Sequence, residues 1–181
     1  MTLYARKYVS PCGDMLLVAS ETGLVLADWI NDNSGEAFCE AVCDTRNLRY
    51  MMRRYPAATC VYDPASSILT HAARQLDEYF SGIRREFNIH LEFSGTEFQN
   101  HVWNELLTIP YGKTLSYGDI ANRIGSPRAV RGVAAAIGAN RMSVFIPCHR
   151  VIGSDGSLTG YAGGLYAKRF LLNLELPESM R

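Results

Sequence analysis

The sequence predicts two domains of different class: an α/β domain over residues 1–94, then a mostly α domain over residues 95–181 that carries a helix-turn-helix. Three features predict this. Short β-branched and apolar runs, separated by turn residues, fill the first part of the chain. A Ser94-Gly95 pair interrupts the pattern. Beyond it, helix-opening signals and apolar residues at helical spacing replace alternation. At 181 residues the chain can bury one large core or two small ones.

Residues 4–9, 15–20 and 23–30 read as strands, with residues 11–14 and 21–23 as the turns between them. Residues 31–35 form a polar loop. Residues 36–60 show some helical periodicity but no motif, so the topology of 31–65 stays open. Residues 66–80 form an amphipathic helix with Leu69, Ala73, Leu76 and Phe80 as its stripe, and Gly82 stops it. Phe87, Ile89, Leu91 and Phe93 then alternate as a strand. In the second half, Thr96 with Gln99 opens a helix that carries Phe98, Val102, Trp103, Leu106 and Leu107. That helix ends before Pro110-Tyr111-Gly112. Ser116 with Asp119 opens a short helix to Ile124, closed by Gly125. Ser126 as N-cap and Pro127 in the first turn start the next, which runs to about residue 139. Two short helices joined by a Gly-containing turn make the helix-turn-helix. Residues 144–146 read as an apolar strand, and 165–174 as a last amphipathic helix.

Hydrophobic residues make up 48% and charged residues 20%, the balance of a soluble globular protein. No apolar run approaches the roughly 20 residues that cross a bilayer, and no long apolar stretch follows the N-terminal basic residues, so no membrane partner and no signal peptide are expected. A cytoplasmic location follows, or a nuclear one in a eukaryotic host. The net charge is zero, yet residues 110–170 hold 8 basic and 2 acidic side chains. That excess permits either a solvated basic surface or a nucleic-acid face. The cysteines, Cys12, Cys39, Cys43, Cys60 and Cys148, are odd in number, which argues against a disulfide framework. Cys39 and Cys43 could share a helix face, but only His71 and His90 lie in the same half, without paired ligand spacing. No metal is expected.

The helix around residues 128–140 is built from small residues with Arg128 and Arg131 as its charges. Val130, Val133, Ala134 and Ile137 supply an inward face, leaving Arg131 and Gly132 toward the other side. Such a helix suits either a tight core or a nucleic-acid groove. Next comes Pro147-Cys148-His149-Arg150-Val151. Burial alone would make Cys148 inert, whereas His149 and Arg150 would favour its thiolate. A nucleophilic pair needs a third group to orient the base. Asp155 sits in a Ser-Asp-Gly-Ser turn and is accounted for by turn chemistry. Glu175, at the end of the last helix, can fold back onto His149.

The Pro147-Cys148-His149-Arg150-Val151 run resembles the active-site signature of the O6-alkylguanine-DNA alkyltransferases. Ile109-Pro110-Tyr111-Gly112-Lys113, Ser116-Tyr117, Arg128-Ala129-Val130-Arg131, Asn140, Gly160-Tyr161-Ala162-Gly163-Gly164 and the Leu171-Leu172…Glu175 ending fall in the family's order and spacing. The resemblance covers roughly residues 96–176, and together these motifs are highly specific. It implies a ribonuclease-H-like N-terminal domain. It also implies repair of O6-alkylguanine, with O4-alkylthymine as a further candidate, by single-use transfer of the alkyl group to Cys148 without a cofactor. His149 and Glu175 would form the proton relay, and Tyr117 would donate to the departing guanine. Arg131 would replace the flipped nucleotide in double-stranded DNA. Gly118, Ser126, Ala129, Gly132 and Ser154, with Tyr117, would meet the DNA. Asn140, Val151, Tyr161, Ala162 and Gly163 would form the pocket. No zinc ligand set is matched, and a monomer is expected. A thiol hydrolase would explain Cys148, His149 and Glu175 but not Arg131. A DNA-binding sensor would leave Cys148 without a role.

Overall fold

The computed structural model describes residues 1–30 and 45–176. The chain divides into two compact units, Met1–Glu92 and Phe93–Arg181. The polar loop expected at 31–35, and Cys39 and Cys43, lie outside the described residues.

In the first unit, β1 (Thr2–Ser10), β2 (Gly13–Ala19), β3 (Leu24–Trp29) and β4 (Thr59–Tyr62) form one sheet in the order β3-β2-β1-β4. β1 and β2 close an antiparallel hairpin, β2 and β3 a second, and β4 joins β1 in parallel. Alternation along β1 divides the sheet's faces. Leu3 and Ala5 join Leu16, Val18, Val25 and Leu26 in a cluster. Tyr50 and Met51 of α1 (Thr45–Arg54) pack against it. Tyr8, of opposite parity, stacks on Phe80 and donates to Asp77 at 2.9 Å, both from α2 (Ser67–Phe80).

Two expectations change here. On α2, Tyr79 rather than Phe80 is fully buried, and Phe80 lies half-buried over Tyr8. The strand expected over 87–93 shrinks to a single bridge between Leu24 and Leu91. Its alternation is real, but it records packing, with Phe87 tilted against Tyr79. The backbone N–H and carbonyl of Asn88 are taken by the Gln75 side chain at 2.8 Å each, which leaves no ladder to propagate there. β4 lay in the stretch left open by the sequence. All four of its residues are exposed, so it carries no apolar alternation.

In the second unit, α3 (Glu97–Leu107) starts at Thr96, whose side chain and that of Gln99 close the expected capping box. It buries Val102, Trp103 and Leu106, while Phe98 and Leu107 stay exposed. Residues Leu115–Ser116 form β5. The helix α4 (Tyr117–Arg123) follows directly, capped by Ser116 and Asp119. The next helix, α5 (Val130–Gly138), begins later than Ser126-Pro127 suggests. The Ser126 carbonyl accepts from Ala129 N–H at 2.8 Å, so residues 126–129 make a tight turn with Pro127 at its second position. The buried residues of α5 are Val133, Ala136 and Ile137, not Val130 or Ala134. Trp103 Nε1–H donates to the Ala136 carbonyl at 2.9 Å, tying α3 to the end of α5. A 3-10 turn (Cys148–Arg150), β6 (Val151–Ile152) and α6 (Gly164–Glu175) complete the unit. β5 and β6 pair in parallel, Leu115 with Val151. That pairing gathers the start of α4 and the Cys148 turn.

Candidate active site

The segment leading to Cys148 is a turn, not the apolar strand expected over 144–146. Ile146 N–H bonds back to the Met142 carbonyl at 2.8 Å, and Val144 adopts a φ of +73°. A β-branched residue avoids that left-handed region unless its surroundings hold it there. Asn140 supplies the hold. Its Oδ1 accepts from Met142 N–H at 2.9 Å, and its Nδ2 donates to the Ile146 carbonyl at 3.1 Å. The same Nδ2 reaches Cys148 Sγ at 3.2 Å. One buried amide therefore closes the turn and puts a donor on the sulfur.

Cys148 is 5% exposed, and His149 is fully buried. His149 Nε2 lies 2.9 Å from Glu175 Oε1. An ionised carboxylate only accepts, so Nε2 carries the ring proton and Nδ1 is the basic nitrogen. Burial pushes the His149 pKa down, against the hydrogen bond and charge of Glu175, so the ring is neutral at rest and able to take a proton. Burial also works against the Glu175 charge. The hydrogen bonds from His149 and Arg150 and the charge of Arg150 outweigh it and hold the carboxyl well below the usual range. Arg150 grips Glu175 with Nε and a terminal nitrogen, each at 2.9 Å, in the two-pronged geometry that suits guanidinium and carboxylate. Its other terminal nitrogen donates to the Ile109 carbonyl at 2.6 Å. The sequence suggests a direct influence of Arg150 on the thiol. In the fold it anchors the anchor of the base.

The Pro110-Tyr111-Gly112 stretch, which looked like a helix stop, also receives the end of α6. Tyr111 donates to the Leu174 carbonyl at 3.0 Å, and Gly112 N–H to Glu175 Oε2 at 3.0 Å. Gly112 has a φ of +72°, and a Cβ there would lie 2.7 Å from the Glu175 backbone oxygen. Gly112→Ala is therefore doubly penalised. It should lose about 2 kcal/mol of stability in urea melts, from the left-handed backbone and the displaced helix end together. A loss under about 0.5 kcal/mol would show that this approach is not tight.

A cavity of about 580 Å³ opens beside the sulfur. Tyr117, Asn140, Cys148, Tyr161 and Ala162 line it. Ala134, Ile137, Gly138, Thr159 and Gly160 line it too; Ala134 and Ile137 are expected from sequence only as a packing face and Gly160 only as part of a motif, and Gly138 and Thr159 carry no expectation. Val151 and Gly163, expected in the pocket, are not among its walls. Val151 is fully buried in the β5–β6 pair, and Gly163 is the cap residue of α6. The Val151 carbonyl accepts from Lys168 Nζ at 2.6 Å, and the Thr159 carbonyl from the same nitrogen at 2.8 Å. Lys168 is fully buried; burial pushes its pKa down and the nearby Cys148 charge pushes it back up. Its ammonium is thus a cation near enough to act on a Cys148 thiolate. Lys168 precedes Glu175 by seven residues, two helical turns, so both fall on the buried stripe of α6. That spacing was the available signal, and a lysine on an amphipathic helix hides it by reading as solvent-facing. Arg131, Gly132 and Ser154 are exposed, while Ser126, Ala129 and Gly118 are half-buried. Among the described residues, no group of three His, Cys, Asp or Glu could hold a metal, and no helix is long and apolar enough to cross a membrane.

Comparison with known proteins places this geometry beside one family. Residues 3–93 match the profile described as 6-O-methylguanine DNA methyltransferase, ribonuclease-like domain, and residues 97–176 its DNA binding domain. The methylated-DNA–protein-cysteine methyltransferase of Methanosarcina acetivorans is 40% identical over 173 residues, covering 96% of this chain and 98% of that protein. The Mycobacterium bovis protein of the same name is 48% identical over 129 residues, 71% of this chain and 78% of its own length. The solved structure of Mycobacterium tuberculosis OGT in complex with DNA is similar at a TM-score of 0.75 and 36% identity, covering 99% of this chain and 98% of that one.

Proposed function

The chain belongs to the 6-O-methylguanine DNA methyltransferase family, and on that premise we propose that Cys148 accepts, once per molecule, an alkyl group from O6-alkylguanine in double-stranded DNA. The activity is that of a methylated-DNA–protein-cysteine methyltransferase, and it repairs DNA by alkyl transfer. The observation that carries the residue assignment is Cys148 at the wall of the cavity, followed in sequence by a buried neutral His149 whose Nε2 is bonded to an ionised Glu175 that Arg150 grips.

The chemistry follows from that order. His149 Nδ1 takes the Cys148 proton, through a bridging water, and Glu175 stabilises the imidazolium that forms. Asn140 Nδ2–H and the Lys168 charge stabilise the thiolate. Sγ then attacks the sp³ carbon on O6. The S–C bond forms as the C–O6 bond breaks, and the electron pair passes into the purine. Tyr117 donates its proton to a ring nitrogen, so guanine leaves neutral. The proton held by His149 returns to the tyrosinate through solvent, and no cofactor enters the balance.

The damaged base must leave the duplex to reach the cavity. The α4–α5 pair is read as a helix-turn-helix, with Arg131 on the exposed start of α5 entering the vacated stack. The small exposed residues Gly132 and Ala134 let that helix approach the groove closely. Ser126, Ala129, Gly118 and Ser154 would meet the backbone and position the protein without reading sequence. Residues 1–94 are read as a ribonuclease-H-like domain, and a monomer on DNA is the expected assembly.

Duplex DNA containing O6-methylguanine, mixed with the protein and followed by peptide mass mapping, tests the assignment. One CH₂ unit should appear on the peptide holding Cys148 and never a second. A gain on another cysteine peptide, or repeated turnover, would overturn it.

A further inference from the structure

The Tyr117 hydroxyl does not stand alone at the cavity mouth. Thr159 Oγ1 donates to Tyr117 Oη at 2.9 Å, across 42 residues of sequence. We propose that Thr159 is a positioning residue for the transfer step, one that aims the Tyr117 proton at the departing base. This rests on the role given above to Tyr117.

The geometry carries it in three steps. A phenol oxygen that accepts a hydrogen bond on one side has its own proton directed elsewhere, here into the cavity that both residues line. The accepted bond also stays on the oxygen as its proton leaves, so the group need not reorganise during the transfer. Finally, Thr159 is not carried on a loose loop. Its carbonyl accepts from the fully buried Lys168 Nζ at 2.8 Å, and the same nitrogen binds Val151 three residues after Cys148. The donor of the proton and the attacking sulfur are thus referenced to one buried ammonium. The Thr159–Tyr117 bond is exposed in the free protein, where water competes with it. Bound DNA covers the cavity mouth and excludes that water, leaving Thr159 as the remaining donor.

The test is a double-mutant cycle read as single-turnover transfer at saturating duplex DNA. Thr159→Val should slow transfer about fivefold to tenfold, the size of one net hydrogen bond, with DNA affinity unchanged. Thr159→Ser should restore it to within about twofold, since it keeps the donor. In a Tyr117→Phe background, Thr159→Val should add nothing, because the group it positions is gone. Equal slowing in both backgrounds would mean that Thr159 only shapes the wall and would overturn the proposal. So would an unaffected Thr159→Val protein when Tyr117→Phe is slow. A Tyr117→Phe protein as fast as wild type would instead remove the premise, the role of Tyr117 itself.

Discussion

Cys148→Ser is expected to lose transfer altogether while keeping its fold and its DNA affinity. The nucleophile must reach an sp³ carbon at neutral pH. A thiol can be ionised by a neighbouring imidazole, because their pKa values lie within a few units of one another. A serine hydroxyl cannot, and the hard oxygen that results is a poor attacker of carbon outside a carbonyl. A drop of at least about four orders of magnitude in the single-turnover rate follows. The fold should survive because Ser is smaller by little and its oxygen still accepts from Asn140 Nδ2. No other cysteine should substitute. Cys12 is buried in the other unit, where burial pushes its thiol up, only partly offset by Ser10. Rapid-quench transfer and mobility-shift assays on the same preparation separate the two claims. Measurable transfer by the serine protein would remove Cys148 from its role, and lost DNA binding would mean that the sulfur also holds the interface together.

Much of this arrangement was legible in the sequence, and the parts that were not share a cause. The first three strands and both capping boxes are local: their signals lie within a few residues of their effects. The Cys148-His149-Arg150 run is likewise contiguous. Sequence and fold part where a local pattern has two physical outcomes. Alternation at 87–93 can mean a strand or a packed coil, and the side chain of Gln75 decided for the coil. Ser126-Pro127 can open a helix or a turn, and the backbone bond from Ala129 decided for the turn. The apolar run at 144–146 suits a strand, but Asn140 bends it. The contacts with no local signal span long separations, such as Gly112 with Glu175 and Thr159 with Tyr117. A helix-breaking glycine and a loop threonine carry no mark of their distant partners, so only the fold reveals them.

Arg150→Met should cost about 3–5 kcal/mol of stability, the usual consequence of breaking a buried ion pair on one side. The pair is almost fully enclosed, with side-chain exposures of 8% and 1%. Arg150 supplies two of the bonds to the Glu175 carboxylate and also satisfies the Ile109 carbonyl. Without it, Glu175 keeps only His149 and Gly112 among these donors and faces the full opposition of burial. The pH dependence gives a second signature. Glu175 is held below its unfolded pKa of about 4.3, so its contribution is complete above that value and is lost as pH falls toward the folded one. His149 is also held down, by burial, so the cost of charging it begins as pH falls below about 6.5. Wild-type stability should therefore decline in two stages on acidification. In Arg150→Met the carboxyl is no longer held so low, and the later stage should shrink as the difference from the unfolded chain narrows. Adding Glu175→Leu to Arg150→Met should restore stability in part, because an apolar replacement removes the stranded charge. It should not restore transfer, because His149 then has no carboxylate to fix its tautomer. Urea melts from pH 2 to 8, with transfer assays at neutral pH, would separate these effects. An Arg150→Met protein within about 1 kcal/mol of wild type would mean that solvent reaches Glu175 and takes over the role of the guanidinium.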